Sequence, residues 1–121
     1  MSESDQGAPA PPAQRYGVGE FRMSSELEDG THTIRLFGEL DLASADMVQA
    51  ELERVEATDA KAIVVDLSGL TFMDSTGVRL VLSAHARSRA DANRLSLLRG
   101  PVSVQRVLEL CGVEDMLPFA D

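Results

Sequence analysis

The middle of the chain runs from an apolar segment through a polar, glycine-containing loop into a second apolar segment, and this order constrains the fold most. Residues 62–65, AIVV, are rich in β-branched side chains without polar alternation, which predicts a central strand covered on both faces of its sheet. Residues 77–86 are mostly apolar or small, and Arg87 and Arg89 after them suit the negative end of a helix dipole. The predicted order is therefore strand, loop, helix.

Asp74, Ser75 and Thr76 lie where that helix should begin. Side-chain oxygens of Asp, Ser and Thr can bond the amides that lack partners in a first turn, so one interpretation is a helix cap. A hydroxyl at this position is also where free N–H groups and the positive end of the dipole can accommodate a phosphoryl group. Both interpretations can hold together.

Patterns before this stretch predict a hairpin followed by a helix. A strand starting at residues 21–23 and a returning strand at residues 33–37 flank an Asp-Gly pair, which is typical of tight hairpin turns. Residues 38–41 then leave the sheet, and a helix starts near Ser44. The helix is predicted to be amphipathic because apolar side chains recur at helical spacing: Ala45, Val48, Leu52 and Val55.

Patterns after it predict a turn at residues 91–93, a strand at residues 95–98 and a further helix. Pro101 suits the first position of that helix, since proline lacks the donor that has no partner there, and Gly112 suits its end. Residues 117–119 could add a short strand, whose proline favours the edge of a sheet over its centre.

Together these elements predict an α/β fold in a single domain, in the order β-β-α-β-α-β-α with a possible last β. The helical crossovers imply parallel neighbours, so a mixed sheet of four to five strands, packed with helices, should be antiparallel at its start and parallel later. Residues 1–19 hold three of the five prolines and show no periodicity. They are predicted to be a disordered leader before a domain at residues 20–121.

Composition and charge exclude several classes of function. The formal net charge of -9 disfavours nucleic-acid binding, because little would replace the counterions of a phosphate backbone, so proteins are the expected partners. No apolar run approaches the roughly 20 residues that span a bilayer, which predicts no membrane insertion and a cytoplasmic location. Cys111 is the only cysteine, so no intrachain disulfide can form, and its place on an apolar helical stripe predicts packing.

Three short motifs carry a resemblance to a known family. GELD at residues 38–41, DLSGL at residues 66–70 and FMDSTG at residues 72–77, in this order, closely resemble the STAS domain of bacterial anti-sigma factor antagonists. The similarity covers roughly residues 31–119. It implies the STAS fold and assigns Ser75 as the residue phosphorylated by a partner anti-sigma factor that is itself a serine kinase.

The resemblance also implies a partner switch. The unphosphorylated protein would bind the anti-sigma factor and free the sigma factor, phosphorylation of Ser75 would end that binding, and a phosphatase would reset it. ATP and Mg²⁺ would belong to the kinase, so the chain itself is expected to need no cofactor.

Residues around Ser75 are the predicted contact surface for this partner. Asp41 is assigned to it by the resemblance alone, and Asp74 could orient the Ser75 hydroxyl. Apolar side chains nearby could form part of the surface, with core packing as the alternative: Leu70, Phe72, Met73 and Val78. The predicted partner-binding residues are Asp41, Met73, Asp74, Thr76, Gly77 and Val78. Gly77 would allow close backbone approach or simply relieve crowding in the first helical turn.

Other functions fit the same residues less well. A serine hydrolase would need a base, yet Ser75 lacks a Gly-x-Ser-x-Gly setting and the only histidines are His32 and His85, so the chain is predicted not to be an enzyme. Glu39 and Asp41 lack a third ligand beside them, which disfavours a metal site. The stronger alternative is a STAS structural or regulatory subunit of a membrane transporter, of the phospholipid-transport type, whose binding would not depend on modification of Ser75.

Overall fold

The computed structural model describes residues 14–16 and 19–120, with side chains from residue 20 onward. The described chain forms, in order, β1 (Gln14–Tyr16), β2 (Gly19–Glu28), β3 (Thr31–Leu40), α1 (Leu42–Glu56), β4 (Ala62–Met73), α2 (Ser75–Ala90), β5 (Leu95–Leu98), α3 (Val102–Leu110) and a 3-10 turn (Glu114–Met116). The sheet follows the strand order β1-β2-β3-β4-β5. Its first three strands are antiparallel and its last three parallel, as the order of elements predicted.

The hairpin between β2 and β3 forms at the predicted Asp-Gly pair. Asp29 has a φ of 54° and Gly30 a φ of 84°, and the pair Glu28 and Thr31 closes the ladder around them. A two-residue turn with positive φ at both positions matches the twist of the flanking strands. This turn fixes the register that places Ile34 and Leu36 in the core.

All three helices pack on one face of the sheet. The buried side chains of β3 and β4 alternate along each strand, and they join the apolar stripes of the helices in a single core cluster. Val48, Leu52 and Val55 of α1 belong to this cluster, so the predicted amphipathic stripe is confirmed. The other face of the sheet carries partly exposed side chains, among them Arg35, which lies 3.2 Å from Glu26.

The central strand differs from its prediction in two ways. Ile63 and Val65 are buried, whereas Val64 between them is partly exposed, so β4 is covered on one face and the prediction of two covered faces was wrong. The strand also continues to Met73, through the segment predicted as a loop. Pairing with β3 extends it, and Gly69 permits that pairing because a Cβ there would lie 2.4 Å from the ring of Phe37.

Other boundaries also shift. Residues 38–40 remain in β3 instead of leaving the sheet, and α1 begins at Leu42, two residues before Ser44. The possible last strand is only an isolated parallel bridge between Leu97 and Phe119. Cys111 is exposed at the end of α3, so the prediction that it packs was wrong.

The start of the sheet falls within the predicted leader. Gln14–Tyr16 forms β1, pairing antiparallel with β2 from Gln14 opposite Phe21 to Tyr16 opposite Gly19, so the sheet begins before residue 20. Backbone pairing needs no hydrophobic periodicity, which is why the sequence pattern missed it. The rest of the predicted leader, residues 1–13 and 17–18, lies outside the described residues.

Candidate functional site

Two strand ends and two helix starts meet at one edge of the sheet. Leu40 of β3 pairs with Met73 of β4, and each strand passes through a single residue, Asp41 or Asp74, into the following helix. The Asp74 N–H donates to the Leu40 carbonyl at 3.3 Å, which ties the two strand ends together. Parallel pairing therefore brings the motifs at residues 38–41 and 72–77, which are far apart in the sequence, side by side.

Asp74 is the N-cap of α2. Its Oδ1 accepts hydrogen bonds from the amides of Thr76 at 2.9 Å and Gly77 at 3.3 Å. The cap interpretation is thus confirmed for Asp74. Both amides are occupied by this carboxylate, so they are not free to hold a phosphoryl group unless Asp74 moves.

Ser75 occupies the first position of α2 and is exposed, while Thr76 is half-buried. The cap bonds run from Asp74 past Ser75 to the two residues after it, so the Ser75 hydroxyl takes no part in them. A second protein can therefore reach this hydroxyl without opening the helix.

Asp41 is the N-cap of α1 and forms a capping box with Ser44. Its carboxylate accepts from the amides of Ala43 at 3.0 Å and Ser44 at 3.3 Å, and its own amide donates to the Ser44 hydroxyl at 3.0 Å. That hydroxyl also donates to the Glu39 carbonyl at 2.8 Å, and Ser44 is fully buried. Asp41 is half-exposed, so the capping box does not bury it.

Three of the predicted contact residues lie beneath the surface. Met73 is 2% exposed and Val78 is 5% exposed, and both belong to the core. Gly77 is buried as well, where a Cβ would lie 2.7 Å from Met73 Cγ and 3.1 Å from Leu40 Cγ. These residues support the site from below instead of presenting side chains to a partner. The structure therefore assigns Met73 and Val78 to core packing and Gly77 to relief of crowding, the alternatives that the sequence left open.

The exposed apolar part of the site comes from two other side chains. Phe72, opposite Glu39, is 46% exposed, and Leu42, at the first position of α1, is 77% exposed. Phe72 was among the apolar candidates, whereas Leu42 was missed because the helical stripe was read from Ala45 onward. The sequence did contain a signal for Leu42, because this residue directly follows Asp41, the acidic residue that ends the GELD motif. We call Asp41, Leu42, Phe72, Ser75 and Thr76 the docking edge.

Neither histidine can act as a base for Ser75. His85 lies ten residues along α2, which is about 15 Å at the rise of an α-helix. His32 is near the far end of β3, eight residues or about 26 Å before Leu40, and its Nε2 lies 2.6 Å from the hydroxyl of Ser25. Within the described part of the chain, no group of acidic, histidine or cysteine side chains could hold a metal ion. No helix among these residues is long and apolar enough to cross a bilayer.

Comparisons with known proteins agree with this architecture. The family model of the STAS domain matches residues 22–121, so the chain belongs to the STAS-domain family. A curated relative is the anti-sigma F factor antagonist of Lysinibacillus sphaericus, 36% identical over 84 residues, which cover 69% of this chain and 72% of that protein.

Two solved structures of a similar protein extend the comparison. The anti-sigma factor antagonist SpoIIAA in its unphosphorylated form is 30% identical, with a TM-score of 0.68 over 83% of this chain and 89% of that one. The Bacillus protein SpoIIAA in its phosphorylated form is 29% identical, with a TM-score of 0.63 over 83% and 92% of the two chains. The similarity includes nearly the whole described domain.

Proposed function

We propose that this protein is an anti-sigma factor antagonist controlled by phosphorylation of Ser75. The unphosphorylated form binds an anti-sigma factor serine kinase and thereby frees a sigma factor; the kinase phosphorylates Ser75 and ends the binding. The observation that carries the proposal is the exposed Ser75 at a sheet edge where the GELD and FMDSTG motifs meet. It is supported by the relatives named as anti-sigma factor antagonists and by a neighbour solved in both phosphorylated and unphosphorylated forms.

In this proposal the chain is a substrate and not a catalyst. The Ser75 oxygen attacks the terminal phosphorus of ATP, the bond to the leaving ADP oxygen breaks, and the hydroxyl proton passes to a base of the kinase, which also holds ATP and Mg²⁺. Asp74 is a poor candidate for that base, because its carboxylate is held by two amides of α2. Its role is to present Ser75 in a fixed helical turn.

The switch follows from the charge that the phosphate adds. A phosphoserine carries about −1.5 to −2 charges at neutral pH, here directly after the carboxylate of Asp74 on a chain of net charge -9. A partner docked over Leu42 and Phe72 would have to accommodate that bulk and desolvate that charge. A loss of about 2 to 4 kcal/mol would weaken binding roughly 30-fold to 1000-fold, which suffices to exchange partners.

Further parts of the switch are proposed on the same basis. A phosphatase that removes the phosphate would restore binding, and the kinase would carry the nucleotide and metal that the reaction needs. The negative net charge favours a partner surface with basic groups around an apolar centre that receives Leu42 and Phe72. A cytoplasmic location, where sigma factors act, is part of the proposal.

Capture from native bacterial lysate tests the proposal. Wild type, Ser75→Ala, Ser75→Asp and the control Ser103→Asp are immobilised. Ser103 is an exposed serine in the first turn of α3, which follows a strand that pairs with β4 only as far as Asp66, so the control adds the same charge to a first helical turn outside the docking edge. Wild type, Ser75→Ala and Ser103→Asp should each retain a serine kinase, and Ser75→Asp should not.

The captured kinase is then incubated with ATP and each free protein, and the modified residue is mapped by mass spectrometry. Phosphate should appear on Ser75 of wild type and not on Ser75→Ala. Equal capture of a transporter ATPase by all four proteins would refute the switch and leave a structural STAS subunit.

A further inference from the structure

Arg79 lies one helical turn after Ser75 and has no partner in the described part of the chain. It is exposed on α2 and forms no hydrogen bond or ion pair with the residues whose side chains are described. Most other arginines of the domain are engaged in ion pairs: Arg35, Arg54, Arg87, Arg94 and Arg99. Arg79 is therefore an available cation close to the proposed phosphorylation site.

The geometry of α2 directs this cation toward Ser75. Residues four apart lie on the same helix face, with about 5–6 Å between their Cβ atoms. Helical side chains lean toward the N-terminus, so the guanidinium of Arg79 reaches over the turn that contains Ser75 and Thr76. Thr76 and Arg79 also line one open groove between the first halves of α1 and α2, together with Asp46.

Two of the backbone donors that could receive a phosphate, the amides of Thr76 and Gly77, are already in use. The Asp74 carboxylate holds the amides of Thr76 and Gly77, so a phosphate on Ser75 could take them only by displacing the cap. Arg79 is the nearest cation along the helix, and its planar fork of N–H donors matches a phosphate. Arg79 therefore offers a phosphate on Ser75 a side-chain donor, in place of the two first-turn amides that Asp74 already holds.

We propose that the guanidinium of Arg79 pairs with the phosphate of phospho-Ser75. The inference rests on the proposed function, because it requires Ser75 to be the phosphorylated residue. Its consequence is that phosphorylation changes two charges at the docking edge: it adds a phosphate and withdraws a cation that the unphosphorylated protein exposes. A partner that faces α2 then meets a more negative surface than the phosphate alone would produce.

Phosphoserine placed at position 75 by genetic encoding tests this pairing without any kinase. The second ionisation of the phosphate, near pH 6 in a free phosphoserine, is followed by ³¹P NMR titration in wild type, Arg79→Gln and Arg79→Lys. Arg89→Gln serves as the matched control, since Arg89 is an exposed arginine in the last turn of the same helix. Circular dichroism checks that each variant keeps its helix content.

An arginine partner favours the doubly charged phosphate and so lowers its pKa. We expect the wild-type value to lie on the order of 0.3 to 1 unit below that of Arg79→Gln, with Arg79→Lys between them and Arg89→Gln at the wild-type value. The difference should shrink in high salt because the pair is exposed. The neighbouring carboxylates, Asp41, Asp46 and Asp74, oppose this effect and are present in every variant, so the difference between variants reports on residue 79.

Equal phosphate pKa values in wild type and Arg79→Gln would overturn the pairing. That result would leave the proposed function untouched, because the capture of a kinase and the mapping of its phosphorylation site do not involve Arg79. Conversely, a lowered pKa together with no captured kinase would support the pairing and refute the proposed partner. The two proposals can therefore fail separately.

Discussion

Asp74 is expected to act on this site through the backbone and not through its charge. Replacing it with alanine removes both hydrogen bonds that fix the first turn of α2, to the amides of Thr76 and Gly77. Replacing it with asparagine removes the charge but keeps an oxygen acceptor, and asparagine is as good an N-cap as aspartate. The pair of variants therefore separates the cap from the carboxylate charge.

The magnitude follows from the cap and its burial. Loss of an N-cap costs about 0.5–2 kcal/mol, and the upper half of that range applies here because Asp74 is half-buried and Gly77 is buried beneath it. We expect Asp74→Ala to lower the free energy of unfolding by about 1–2 kcal/mol, which is about 4–8 °C in Tm per kcal/mol for a domain of this size. Asp74→Asn should stay within about 0.5 kcal/mol of wild type.

Urea denaturation followed by circular dichroism measures the stability of all three proteins, and titration against the captured kinase measures their binding. Asp74→Asn should bind within a few-fold of wild type if the carboxylate charge is not itself a contact. Equal destabilisation by alanine and asparagine would refute the cap argument. If Asp74→Asn keeps the stability of wild type but loses binding to the kinase, the carboxylate charge is itself a contact in the partner interface.

Three further substitutions test interactions that stabilise the domain. Gly77→Ala should lower the free energy of unfolding by about 1–2 kcal/mol in a denaturant titration, because the new Cβ would crowd Met73. Ser44→Ala should cost about 1–2 kcal/mol in the same assay, because it leaves the capping box of α1 open. The Arg54 ion pair lowers the pKa of Glu51 below its ordinary 4.5, so Glu51→Gln should cost about 0.5 kcal/mol at pH 7 and nothing once the pH falls below that lowered pKa. Unfolding curves of wild type and Glu51→Gln at pH 7 and at a series of lower pH values, down to the acid limit of the fold, check the last prediction.

The parts of the fold that were predicted correctly depend on local signals. The Asp29-Gly30 turn, the cap at Asp74 and the apolar stripe of α1 are each specified by residues within a few positions of one another. The length of β4 was not predictable in this way. Its second half pairs with β3 from Phe37 to Leu40 only because the hairpin has already positioned β3, and Gly69 reads as a loop residue until that pairing is known.

The sequence also did not predict which residues of the site are exposed and which are buried. Phe72 and Met73 are adjacent apolar residues, yet one is exposed and the other is in the core. Irregular register between β3 and β4 decides which of them faces the helices, and no local pattern encodes that register. Leu42 is exposed although Leu40 before it and Ala45 after it are buried, and no pattern in its immediate neighbours marks that difference.

The site combines tightly packed residues below with an exposed serine above. This arrangement explains how a small modification could act without refolding the domain. Leu40, Met73 and Gly77 pack beneath the first turn of α2, and the cap bonds of Asp74 hold that turn without using the Ser75 hydroxyl. A group added to Ser75 would therefore extend into solvent and not into the core. Phosphorylation would then change the affinity of the docking edge for its partners and leave the stability of the domain almost unchanged. A partner switch requires this property.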